Sequence, residues 1–190
     1  MQLTNTTKSW GIVTRAFHWS IAGIILFLLG LGTYATYFVS DALEQFRLIQ
    51  THKSWGFVVF VLAVLRIGWR LMNKPSPSLP DHMSGLERLA AKLGHLGLYV
   101  LMIVMPLSGW LMSSASPLQD RFGVKNKVFG WFEMYDPFVP GDAALAETFA
   151  QVHYWSAIAL AGLLIGHAGA ALWHHFHHKD DVLKRMVKGV

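Results

Sequence analysis

Four stretches of the chain are apolar for long enough to cross a bilayer as helices: about 16–38, 51–71, 89–112 and 149–176. At ~1.5 Å of rise per residue, about 20 such residues span the ~30 Å of hydrocarbon. Aromatic side chains gather at the ends of these stretches, as Phe17, Trp19, Tyr34 and Tyr37 do in the first, where an interfacial belt is expected. Pro106 inside the third span predicts a kink. The connections read as a short polar segment at 40–50, a Pro-rich loop at 73–85, a long mixed segment at 113–146 and a basic, helical tail at 179–188. The long segment is expected to be an ordered extramembrane loop or a short amphipathic helix. The expected fold is all-α: one domain over 1–190, an integral membrane four-helix bundle.

Composition sharpens this. A hydrophobic fraction of 53% with only 14% charged residues is wrong for a soluble domain. The absence of Cys excludes disulfides, iron–sulfur clusters, thiolate zinc sites and haem attached through C-x-x-C-H. A pI near 9.6 would fit a nucleic-acid partner, but the cations sit in short loops beside the apolar spans, so no nucleic acid is expected. No cleavable leader is read at the start. Sorted by side, the charges come to +7 for both termini with the Pro-rich loop, and −2 for the other two connections. The positive-inside rule then predicts both termini cytoplasmic.

Histidine is the unusual residue, with ten in the chain. His153 and His167 are fourteen positions apart in the last span, which is about 21 Å of rise and within about 40° of four full turns. One face therefore carries two imidazoles at two depths. Small residues cover much of the rest of that span and allow close approach. His18 enters from the cytoplasmic side and His52 from the opposite one, so depth pairs His18 with His167 and His52 with His153. Intramembrane imidazole is costly and marks function. Two neutral imidazoles on opposite faces of a macrocycle are what a b-type haem requires, and a four-helix bundle can present them. Taken alone, a single such His reads as packing; four that pair by depth read as the axial ligands of two haems. A His-lined metal or proton transporter is the competing reading, but no acid lies at either level and two imidazoles alone make a poor zinc site.

The segments A-F-H-W-S, H-K-S-W-G, L-R-I-G-W-R, L-G-H-L-G-L-Y-V-L-M-I-V-M-P-L-S-G and H-Y-W…G-H-A-G-A-A-L-W-H-H-F resemble the bacterial cytochrome b561 family over nearly the whole chain. The resemblance implies a dihaem b-type cytochrome of the bacterial inner membrane that exchanges electrons with ubiquinone. One member type oxidises superoxide and passes the electron to ubiquinone. The family's axial ligands fall on His18, His52, His153 and His167. The long third connection matches least. The alternative function is a cytochrome b subunit that wires a larger membrane oxidoreductase to the quinone pool.

His95 in the third span has no place in either pair, and His174 lies two turns beyond His167 on the same face. Together they are candidates for hydrogen-bonding the two carbonyls of a quinone and delivering protons. A propionate or backbone partner is the plainer reading of His95. His175, His177 and His178 read as an interfacial polar cluster, and His82 as solvent-exposed. Arg66 is a candidate partner for a haem propionate, as is Lys53 beside His52; snorkelling to lipid phosphate is the alternative for Arg66 and the preferred reading of Arg70. Arg121, Lys125 and Lys127 form a basic group on the outer side, either ordinary loop charge or a field that steers a small anion such as superoxide.

Overall fold

The computed structural model describes residues 2–189. It is a bundle of four long helices, α1 (Ile12–Tyr37), α2 (Ala42–Met72), α3 (Gly85–Ser114) and α5 (Ala143–Trp173). All four are long and apolar enough to cross a membrane. A short helix α4 (Leu118–Phe122) and a two-stranded hairpin, β1 (Lys127–Val128) with β2 (Phe132–Glu133), lie between α3 and α5. A π-helical turn at His174–His178 prolongs α5, and α6 (Val182–Val187) closes the chain.

The helices outrun the apolar stretches because their ends are capped in polar surroundings. The Asp41 carboxylate accepts the Glu44 N–H at 2.8 Å, so α2 begins at Ala42 and takes up most of the segment expected to be a polar connection. Ser84 and Glu87 form a reciprocal capping box at the head of α3. Asp142 accepts the N–H groups of Ala144 and Leu145 at the head of α5. α3 continues through Pro106 to Ser114. The 113–146 segment is ordered by more than a helix: Phe129 and Gly130 take positive φ at the hairpin bend, which two-residue strands could not announce in a periodicity.

α1 packs on α2, α2 on α3, and most extensively α3 on α5. The core is one apolar cluster of Ile21, Ile25, Val59, Ala63, Met102 and Leu160. It receives a contribution from every long helix. The outward faces stay apolar, with Leu26, Val61, Leu65, Leu96, Ile158 and Ile165 all exposed on the bundle surface. That is the surface a lipid environment demands and water would not tolerate. From His153 onward α5 shows an inward stripe: His153, Ser156, Ala157, Leu160, Ala161, Leu163, Leu164, His167 and Ala171 are its covered positions, at helical spacing.

Both termini come to the same end of the bundle as the 73–84 loop. The Ser78 N–H donates to the Thr7 carbonyl (3.1 Å), Arg185 donates to the Ser78 carbonyl (2.8 Å), and Arg15 and Trp19 donate to the carbonyls of Val187 and Met186. The N-terminal segment is folded back as a hook. Buried Asn5 accepts from the Gly11 N–H (3.0 Å) and the Thr14 hydroxyl (2.7 Å). A Cβ on Gly11 would collide with the Leu3 carbonyl oxygen and lie 2.5 Å from the Thr4 carbonyl carbon, both backbone atoms that cannot step aside. Gly11→Ala is therefore expected to detach the hook while leaving the bundle folded. Limited proteolysis should cut within residues 2–11 about tenfold faster, as a local cost of ~1.4 kcal/mol gives.

Candidate functional site: two histidine levels

The site is built from one spacing used four times. His18 and Gly32 on α1, His52 and Arg66 on α2, His95 and Gly109 on α3, and His153 and His167 on α5 are each fourteen residues apart. The midpoints of these four intervals are Ile25, Val59, Met102 and Leu160, and every one is in the buried core cluster. The bundle is thus layered. An inner level holds His18, Arg66, His95 and His167, an outer level holds His52 and His153 with Gly32 and Gly109, and an apolar layer separates them.

At the outer level the rings of His52 and His153 have centroids 6.3 Å apart. At the inner level His18 and His167 are 6.1 Å apart. Two imidazoles each bonded at about 2 Å to an ion between them carry their centroids about 6 Å apart. The His95 ring lies 5.3 Å from that of His167, edge to face, which is a packing contact. Its Nδ1 is bonded to the Ala91 carbonyl of its own helix (2.7 Å).

The surroundings of the outer pair fit a large planar group held between two imidazoles. His153 Nδ1 donates to the Met105 carbonyl at 2.9 Å, with the Ser108 hydroxyl 3.2 Å away, so the proton sits on Nδ1 and Nε2 keeps its lone pair for an ion. His52 Nδ1 is buried and meets no partner in good hydrogen-bonding geometry among the described residues. A Cβ on Gly32 would approach His52 Cε1 to 3.0 Å, and a Cβ on Gly109 would approach His153 Cε1 to 2.9 Å. α1 and α3 therefore offer bare backbone where α2 and α5 offer imidazole.

Arg66 turns inward rather than to the membrane surface. Its Nη2 is 3.4 Å from His18 Nδ1, and its Cζ lies 5.4 Å from the centroid of the Tyr99 ring. Arg70 lies over Trp10 of the N-terminal hook, with Cζ 5.8 Å from the ring centroid. Lys53 is engaged: Nζ donates to Ser113 Oγ (3.2 Å) and to Asn126 Oδ1 (3.0 Å), and Asn126 in turn donates to Asp136. Lys125 and Lys127 converge on Glu133, at 2.7 and 3.6 Å. The hydrogen bond from Lys125 holds the Glu133 carboxyl below the usual carboxylate range.

His174 belongs to a cluster at the end of the bundle that carries the termini. Its Nδ1 donates to Asp180 Oδ2 at 2.5 Å, and its ring lies 5.9 Å from that of His82. Burial works against ionising Asp180, but the hydrogen bonds from His174 and from the Val182 N–H outweigh it and hold the carboxyl below its ordinary range. His82 is exposed as expected, yet its Nε2 is 3.4 Å from the same carboxylate oxygen. His177 stacks on Trp173 (4.2 Å), and His175 packs edge to face on Phe176 (4.9 Å).

Gly32 and Gly109 are the site residues that sequence reasoning passed over. Their signal was available: each lies fourteen positions beyond a histidine, as His153 and His167 do from one another.

Against known proteins, the sequence matches the family described as Prokaryotic cytochrome b561 over residues 9–189. It is 36% identical over 188 residues to cytochrome b561 homolog 2 of Escherichia coli (strain K12), covering 98% of this chain and 95% of that one. It is 30% identical over 139 residues to cytochrome b561 homolog 1 of the same organism, covering 73% of each chain.

The glycine cradle generates a specific test. Gly109→Ala should push the His153 ring off the Met105 carbonyl and lower the content of b-type haem, by about half where each imidazole pair holds one group. Gly94→Ala, on the same helix and with nothing within 4 Å of the added carbon, should leave the haem content unchanged. Reduced-minus-oxidised difference spectra and pyridine haemochrome content measure both.

Proposed function

The chain belongs to the prokaryotic cytochrome b561 family, and on that premise we propose that it is a dihaem electron-transfer protein of the bacterial inner membrane, passing electrons between a donor at the outer level and ubiquinone at the inner one. Membrane electron transfer with b-type haem is the family's property; the number of haems, their ligands, the quinone and the donor are our reading of this chain. The observation that carries the reading is the pair of imidazole couples at 6.1 and 6.3 Å, one at each level of a bundle layered by a fourteen-residue spacing.

In this reading His18 and His167 hold the inner haem and His52 and His153 the outer one. When bound, the haems supply reversible one-electron chemistry. Everything else falls to the chain. Met105 fixes the tautomer of His153 and so keeps Nε2 available. Arg66, held inside the bundle beside His18, balances the negative charge of a propionate, which is the anionic partner an intramembrane guanidinium needs. His95 has its Nδ1 committed to Ala91, which leaves Nε2 to take a proton from the cytoplasmic side and present it to a quinone carbonyl. Both termini and the 73–84 loop share the inner end, and the excess of Lys and Arg there supports the reading of that end as cytoplasmic. The donor on the outer side is a small diffusible species, with superoxide the candidate. Arg121, Lys125 and Lys127 lie on that side, although Glu133 offsets part of the field of the two lysines.

The test is whether haem is lost by pairs. His18→Ala and His167→Ala should each remove the same spectral component, and His52→Ala and His153→Ala the other. Loss of one common component in His18→Ala and His52→Ala would overturn the pairing. His95→Ala should keep both components and slow electron exchange with a quinone analogue on the order of 10²-fold, the usual worth of a positioned proton donor. Loss of a haem in that variant would make His95 an iron ligand instead.

A further inference from the structure

We propose that His82, His174 and Asp180 form a binding site for a divalent transition-metal ion of zinc type, separate from both histidine levels, at the end of the bundle where the termini meet. One ligand atom from each of the three lies within 4.8 Å of the others, and among the described residues this is the one group of histidines and acids so placed. The inference does not rest on the haem reading.

The site comes from three parts of the chain. His82 rides on the turn before α3, which is pinned by buried Met83 and by Arg88, whose guanidinium donates to the carbonyls of Met83 (3.0 Å), Pro80 (3.3 Å) and Asp81 (3.3 Å). His174 opens the π-helical turn at the end of α5, a winding that often marks a functional position. The chain then reverses through Lys179 in left-handed conformation, which brings Asp180 back against His174.

The distances suit an ion. Tetrahedral ligands bonded at about 2.0–2.2 Å stand about 3.3 Å apart. His82 Nε2 and Asp180 Oδ2 are 3.4 Å apart. His174 Nδ1 and Asp180 Oδ2 are 2.5 Å apart, joined by a proton; a cation that replaced the proton would move them apart by under 1 Å. A further imidazole, His178, packs against both rings, 4.5 Å from that of His82 and 5.2 Å from that of His174. Two imidazoles from distant parts of the chain, His174 and His82, address the same carboxylate oxygen. Two or three imidazoles with one carboxylate is a borderline donor set suited to zinc-type ions, and a poor one for magnesium or calcium. The ion would clip the 73–84 loop to the end of α5 and to the approach of α6, reinforcing the hydrogen bond from Arg185 to Ser78.

This use of His174 competes with the quinone contact its sequence position suggested. The haem-loaded, detergent-solubilised protein without a polyhistidine tag is titrated with zinc against a chromophoric chelator. Wild type should bind one zinc per chain. Asp180→Asn, which preserves shape, and His82→Ala should each weaken binding about tenfold or more. A His175→Ala/His177→Ala double variant should bind as wild type, since neither ring is in the cluster. Haem spectra and quinone-analogue turnover, read on the same samples, report folding and the proposed electron transfer independently, and should be unchanged in all variants. The proposal is overturned if wild type binds no stoichiometric zinc. It is equally overturned if binding survives His82→Ala and is lost in the double variant, which would mark the tract as an adventitious chelator.

Discussion

A bilayer lets a backbone bond only to itself and charges heavily for each polar side chain. The layering of this molecule follows from that constraint. Polar groups inside the bundle are not scattered but held to two depths, each depth reached from four helices by the same fourteen-residue step. The step works because it nearly closes four turns, so a helix that faces inward at one level faces inward at the other. At the outer level two helices present imidazole and two present glycine. At the inner level the fourth group is an arginine. Between the levels the same faces must carry Ile25, Val59, Met102 and Leu160, which are the residues that hold the bundle together.

Outside the apolar region the constraint lifts, and ordinary soluble-protein devices take over. Helices start on Asp41, Ser84 and Asp142 caps. The outer connection is organised around Asn126, nearly fully buried, which accepts from Lys53 and Ser113 and donates to Asp136, while the Ser54 hydroxyl of α2 accepts the Phe129 N–H of the hairpin bend. The opposite end is closed by chain segments instead, with the N-terminal hook, the 73–84 loop and α6 bonded to one another.

How much of this could be read beforehand depends on the range of the interactions. Four spans and the facing of His153 with His167 follow from local periodicity, and so were legible. The start of α2 was not, because its first turns lie beyond the hydrocarbon and hydropathy is silent there; the Asp41 and Glu44 capping signal was the better guide. Gly32 and Gly109 were overlooked because glycine announces itself as freedom, whereas here it serves as clearance for a neighbour's ring. Lys53 looked free beside His52, and only tertiary packing brings Ser113 and Asn126 to it. His82 is the strongest case: it read as solvent-exposed and is exposed, but its partners His174 and Asp180 lie about half the chain away in sequence, beyond any local pattern.

The apolar layer at mid-depth has a consequence of its own. Ile25, Val59, Met102 and Leu160 themselves offer no hydroxyl, amide or carboxylate through which a proton could hop. In the proposed reading, charge that crosses this layer between the two levels moves as electrons. Such a current is electrogenic. The membrane potential would assist it in one direction and resist it in the other, by up to ~2.3 kcal/mol per electron for each 100 mV across the full span. The hydrocarbon plate that holds the helices together would thereby also make the electron-transfer rate depend on the energised state of the membrane.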